Sequence, residues 1–351
     1  MNQPIRIGIV GVQHFHVFSF LETFAGRDEV ELVGVAEPDR ERCARLRRTC
    51  ELPCFESVQE LIEKTQPDAV ALYNKPSDRP AVISECVSRG IHVWTDKPIA
   101  TSLEDLDRLG KGLLQSDIAF MMTVAGGYGG RAQALKKMLH GGELGELVQL
   151  VELSSHRFRL PDEHDWERPE WAGDWRQSGG LIVEMGIHGI SQFRWIADSP
   201  VVSISAEHGN KRFPELPHFQ DHCVVLLRAA NGAQGVIQST WLTPDAEPSH
   251  GRSATFVVGT KGYVEMLSSG IAHGLEARAG KPHTLIATDS APPGPFQPAP
   301  RPGRSPAEDF LAQVRTGKAP LVSKEFFLET MRVSLLAREA AERHETVHLE
   351  P

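Results

Sequence analysis

A lysine, a histidine and a carboxylate carry the chemistry legible in this sequence. Lys97 stands in VWTDKPIA, directly before Pro98. A proline disfavours helical geometry in the residue before it, which holds the lysine extended past the end of an apolar strand. Glu184 and His188 lie four apart in SGGLIVEMGIHGISQFRWI. That spacing puts them on one face of a helix, about 6 Å apart at their β-carbons. Ser191 and Gln192 continue the polar stripe, while Leu181, Ile182, Met185, Ile187, Ile190 and Phe193 fill the other faces. So apolar a helix is buried, and its carboxylate and imidazole need a partner or a wet pocket. Imidazole exchanges protons near neutral pH, and an amine at a sheet edge can polarise a hydroxyl. A surface lysine and a structural histidine satisfied by Glu184 are the simpler readings, and both stay open at this point.

A nucleotide site is legible at the N-terminus. Residues 5–20, IRIGIVGVQHFHVFSF, form an apolar strand that turns at Gly11 into a helix. A glycine there lets the backbone approach a pyrophosphate at the helix N-terminus. The fingerprint G-x-G-x-x-G wants two more glycines, and Gln13 and His16 stand in their places. Glu37 ends the second strand, where an acidic residue accepts hydrogen bonds from the adenosine ribose and repels a 2′-phosphate. NAD is therefore expected, with NADP left open by Arg40 and Arg42. The expected cofactor contacts are Gly11, Gln13, His14, Glu37, Asn74 and Lys97. His14 and His16 can bond phosphate or pack at the helix start. As a metal pair they are disfavoured, because residues two apart on a helix face different ways. No metal is expected.

The elements that must position these groups alternate through the first 120 residues. IRIGIVG, VELVGVAE, DAVALY, IHVWTD and IAFMMTVAG read as strands, separated by helical patterns, with Ser102 as an N-cap and Gly90 as a stop. Such alternation implies a doubly wound parallel sheet with right-handed crossovers. The second half reads as α+β, with antiparallel strands joined by Asn-Gly and Lys-Gly turns into a large, mostly antiparallel open sheet. Residues 291–306, with seven prolines, read as an extended surface loop, and TVHLE as a final strand. The expected division is 1–122 for nucleotide binding and 123–351 for substrate and oligomerisation.

Composition bounds the partners. The 351 residues make about two domains, and 37 Lys plus Arg against 46 Asp plus Glu leave a charge of −9, which argues against nucleic acid. Five cysteines without a C-x-x-C pair suit a reduced cytoplasmic protein better than a disulfide framework, and their spacing does not suit zinc. A strand begins within four residues of Met1, leaving no room for a signal peptide, and no apolar run is long enough for a membrane helix.

Together the segments IGIVG, SRGIHVWTDKPIATSLEDLDRL, LKKMLHGGELGELVQL, DWRQSGGLIVEMGIHGISQFRWI, VVGTKGYVEM and PAEDFLAQVRTGKAPLVS resemble the Gfo/Idh/MocA oxidoreductases over nearly the whole chain. The resemblance implies a Rossmann domain, a second domain whose open sheet face mediates homodimers or homotetramers, and hydride exchange between nicotinamide and a carbinol carbon of a sugar, polyol or related compound. It implies that Lys97 and His188 are the catalytic pair. Glu184 stands where the family usually has Asp, Ser191 where many members have a second Asp, and Asp96 where the usual residue is Glu. Glu184 would orient the imidazole. Trp166, Trp171, Trp175 and Arg176, just before the histidine helix, suit a sugar, with Trp175 and Arg176 the expected substrate contacts. Two rival activities share the fold: a glycosidase or lyase acting by transient oxidation on retained NAD, and a non-enzymatic sugar- or NAD-sensing regulator.

Overall fold

Alternating strand and helix patterns in the first third resolve into one parallel sheet. The structure is a computed structural model that describes residues 3–124, 126–158, 169–244, 246–247, 249–267, 283–295 and 305–350. The first sheet contains β1 (Ile5–Val10), β2 (Val30–Ala36), β3 (Cys54–Phe55), β4 (Ala69–Leu72), β5 (His92–Asp96) and β6 (Phe120–Thr123). Its order is β3-β2-β1-β4-β5-β6, parallel throughout. Helices lie between the strands, so Ile7, Ile9, Val70, Ala71 and Val93 are wholly buried, as the continuous apolar runs require. The strand order reverses between β1 and β4, and ligands of such sheets bind where the order reverses, beyond the carboxyl ends of the strands. Gly11 and Asn74 follow those two ends.

The second sheet contains β7 (Leu147–His156), β8 (Val201–Gly209), β9 (His222–Ala229), β10 (Gln234–Thr240), β11 (Gly251–Gly259), β12 (Gly262–Leu267), β13 (His283–Thr288), β14 (Ala291–Pro295) and β15 (Val347–His348). Its order is β14-β13-β12-β11-β7-β10-β9-β8-β15. Every pairing is antiparallel except β10 with β7. The histidine helix (Ile187–Ala197) covers one face, opened by a π-helical turn at Ile182–Gly186. The other face is open. Leu226, Val236, Val151 and Phe256 form one cross-strand row on it, with Leu226 50% exposed.

Four features depart from the sequence reading. β3 and a helix at Val58–Thr65 fall in a stretch left between the second and third legible strands. Cys43 and Cys54 form a disulfide, correcting the fully reduced reading. β3 pairs with β2, and that pairing returns Cys54 to the helix that β2 feeds. Ala291–Pro295 is an edge strand rather than loop, a position that tolerates prolines because an outer N–H is not needed; residues 296–304 of that stretch lie outside the described residues. The last helices also cross the single cut expected near residue 123. Phe310, Leu311, Phe327, Leu328 and Met331 join the core of the first sheet, whereas Val333, Ala337 and Ala341 join that of the second. Among the described residues, no helix is long and apolar enough to cross a membrane.

Candidate active site

At the nucleotide end, Gly11 has φ +78, and a Cβ there would lie 2.5 Å from the Asn74 Cα. Only glycine fits this turn. Val12 N–H donates to Glu37 Oε2 at 2.8 Å and Asp39 N–H to Glu37 Oε1 at 3.1 Å, so a buried carboxylate closes the turn from below. Asn74 Oδ1 is buried without a hydrogen-bond partner. A tight glycine turn, an acidic group at the end of β2 and an orphaned amide oxygen together fit a dinucleotide, which Gly11, Glu37 and Asn74 would hold. Arg40 reaches outward to Glu56 and Arg42 to Asp39. Gln13, in place of the second glycine, accepts a hydrogen bond at 3.0 Å from the indole N–H of Trp171, which arrives from the second half of the chain.

His14 turns towards a carboxylate. Its Nδ1 lies 3.1 Å from Asp96 Oδ2, and His16 Nδ1 lies 3.0 Å from Asp96 Oδ1. The helix begins only at His16, so His14 sits in the preceding turn. The rule that separates residues two apart on a helix therefore does not apply, and both imidazoles reach one carboxylate. Burial works against the Asp96 charge, but His16 and His14 outweigh it and hold the carboxyl well below its usual range.

Lys97 follows at the carboxyl end of β5. It is 6% exposed, and its bond to Pro98 is cis. Arg79, wholly buried, fixes this corner. Its guanidinium donates to the carbonyls of Asn74 (3.1 and 2.9 Å), Asp96 (2.8 Å) and Pro98 (2.8 Å). Three carbonyls on two strand ends, two of them flanking Lys97, are thereby tied to one side chain. Sequence reasoning missed Arg79, because nothing local marks an arginine that bonds distant carbonyls. Buried Glu184 acts electrostatically on Arg79 and is not among the residues lining the cavity described next.

Lys97 and His188 line one cavity of about 400 Å³, walled also by His14, Phe15 and His16 from the first half and by β7, β11 and the histidine helix from the second. Burial first, then the charges of Lys97 and His16, lower the His188 pKa to about 3, against an upward pull from Asp96. Its imidazole is neutral at physiological pH. Gly189 allows this approach: a Cβ there would lie 2.7 Å from Ile237 and 3.1 Å from the Glu152 carboxyl carbon. Glu152, Ser154 and His156 alternate along β7 into the cavity, with Thr255 and Ser253 beside the first two. Burial pushes the Glu152 carboxyl up to about 7. These strand groups were also missed, although polar residues at every second position of LVQLVELSSHRF are the signal for them.

The expected substrate contacts Trp175 and Arg176 do not line this cavity. Trp175 stacks under the Arg338 guanidinium, 4.9 Å from its ring, and exposed Arg176 is bidentate on Asp174. Trp166 lies outside the described residues.

Comparison with known proteins matches this architecture. Residues 5–123 match the model for an oxidoreductase family with an NAD-binding Rossmann fold, and residues 132–265 match the GFO/IDH/MocA C-terminal domain. A dTDP-3,4-didehydro-2,6-dideoxy-alpha-D-glucose 3-reductase of Saccharopolyspora spinosa is 25% identical over 206 residues, 59% of this chain and 60% of that protein. A myo-inositol 2-dehydrogenase of Thermotoga maritima is 23% identical over 239 residues, 67% of this chain and 68% of that one. The chain thus spans about two thirds of each relative or less. The WlbA dehydrogenase of Bordetella pertussis, solved with NADH and UDP-GlcNAcA, shares the fold with a TM-score of 0.77, 20% identity and 99% coverage of both chains. With both of its domains matched to one family's models, the chain belongs to the Gfo/Idh/MocA oxidoreductases, whose N-terminal domain is an NAD-binding Rossmann fold.

Proposed function

We propose that this protein is an NAD-dependent oxidoreductase acting on a carbinol or keto carbon of a sugar, polyol or related hydroxylated compound. The observation that carries the reading is that Lys97, from the first sheet, and His188, from the helix over the second, line one cavity beyond the dinucleotide turn. Relatives named as an inositol dehydrogenase and a dTDP-sugar reductase support the substrate class. NAD, when bound, supplies the hydride acceptor or donor. Glu37, a carboxylate just beyond the end of β2, repels a 2′-phosphate there and supports NAD over NADP.

Lys97 holds the substrate oxygen through its ammonium group. His188, kept neutral, offers a ring nitrogen to the hydroxyl proton. The positive field of Lys97 that weakens His188 as a base also makes a bound hydroxyl more acidic, so the proton's transfer stays balanced. Glu152, held partly protonated near neutral pH, and Ser154 and Thr255 supply donors and acceptors for further hydroxyls. Glu184, four residues before His188 on the same stretch, orients the imidazole, while Arg79 holds the backbone that aims Lys97. The open apolar row of Leu226, Val236, Val151 and Phe256 carries self-association into a dimer or tetramer.

The test is purified protein with NAD or NADP against a panel of polyols, sugars and keto-sugars, followed at the reduced-nicotinamide absorbance band. Turnover with NAD exceeding that with NADP is expected. Tightly retained NAD with product but no net NADH would move the assignment to transient oxidation. A panel without turnover, together with no NAD binding, would overturn it.

A further inference from the structure

The turn before the first helix holds a cluster that hydride transfer does not use. Asp96 is wholly buried. Its Oδ1 receives the Thr123 hydroxyl at 2.9 Å and faces His16 Nδ1 at 3.0 Å. Its Oδ2 is buried and accepts no hydrogen bond, although His14 Nδ1 stands 3.1 Å away. The His16 backbone N–H also donates to His14 Nδ1, at 3.3 Å. His14 and Asp96 form an ion pair when the imidazole carries a proton, and a metal ion can take that proton's place between the two atoms.

The three side-chain donor atoms lie within 4.8 Å of one another. Ligand atoms about 2.1 Å from a four-coordinate ion stand about 3.4 Å apart, so small adjustments close the site. Phe15 stacks on His14 with ring centroids 4.7 Å apart, and the His14 and His16 rings meet edge-on at 4.3 Å, which fixes both imidazoles. Two imidazoles and one carboxylate suit a divalent first-row transition ion, and three protein ligands leave positions open for water or substrate oxygen. His14, His16 and Lys97 all line the cavity, so those positions face the substrate space.

We propose that His14, His16 and Asp96 bind one divalent transition cation, of the zinc type, which takes up a substrate oxygen beside Lys97. The metal site itself does not depend on the oxidoreductase reading; the substrate oxygen as a further ligand rests on that reading.

The experiment strips the full-length protein with chelator, titrates it with Co²⁺ or Zn²⁺, desalts it and measures bound metal together with the Co²⁺ absorption spectrum. About one equivalent per chain is expected, with ligand-field bands and no thiolate charge-transfer band that would point to Cys50, Cys86 or Cys223. Substituting His16→Gln, at a partly exposed position, should weaken binding at least tenfold. His140→Gln, which removes a surface pair with Asp198, should leave the stoichiometry unchanged. Asp96→Asn is read alongside, with circular dichroism to establish its fold. Less than a tenth of an equivalent on the wild-type protein, or full binding by folded His16→Gln, overturns the proposal and leaves a cluster held by a proton alone. NAD binding is measured separately on the metal-free protein. Metal bound without NAD affinity sinks only the functional reading, and the converse sinks only this one.

Discussion

Glu152 offers a measurement whose size follows from its surroundings. The carboxyl sits on β7 under Gly189, and burial raises it from 4.5 to about 7. Between those values the unfolded chain has lost the proton that the folded chain retains, so stability falls as pH rises through this window. The penalty levels off above the folded pKa at about 3 kcal/mol. It amounts to about 1 kcal/mol at pH 5 and about 3 kcal/mol at pH 8. Glu152→Gln preserves shape and cannot ionise. Its stability relative to wild type should therefore climb by about 2 kcal/mol from pH 5 to pH 8. Urea unfolding followed by tryptophan fluorescence at both pH values reads this difference, because other titrating groups are common to both proteins and cancel. An offset constant to within about 0.5 kcal/mol would refute a carboxyl that stays protonated near neutrality.

Other consequences follow from the same geometry. Lys97→Ala and His188→Ala should each lower turnover by about 10²–10⁴ in steady-state assays while NAD affinity, read by fluorescence titration, is largely kept. Arg79→Met leaves the carbonyls of Asn74, Asp96 and Pro98 without their donor and should cost about 3 kcal/mol or more in denaturant unfolding. Trp171→Phe removes the indole donor to Gln13 and should cost about 1 kcal/mol in the same measurement. Leu226→Asp on the open sheet face should lower the molar mass found by light scattering after gel filtration, and an unchanged mass would exclude that face as the contact.

Local chemistry was legible wherever one residue constrains its neighbour. Gly90 and Ser102 marked helix ends, and Asn231-Gly232 marked a hairpin. The apolar run around His188 marked a buried helix, though its π-helical opening has no signature in residue type. What stayed hidden depends on contacts between distant segments. Asp96 looked like a conservative variant of Glu until the turn brought two imidazoles to it. Arg79 binds carbonyls from three places along the chain, and Cys54 meets Cys43 only because a two-residue strand adds to the sheet edge. Trp175 and Arg176 looked suited to a sugar by type, but Arg338 and Asp174 already occupy them.

The helices that return from the second half to complete the first sheet's core have a consequence for engineering. Splicing two relatives at residue 123 would leave a nucleotide domain whose missing wall is carried by the other parent's Phe310, Phe327 and Met331. A workable chimera must therefore exchange the tail with the head, as one discontinuous cassette.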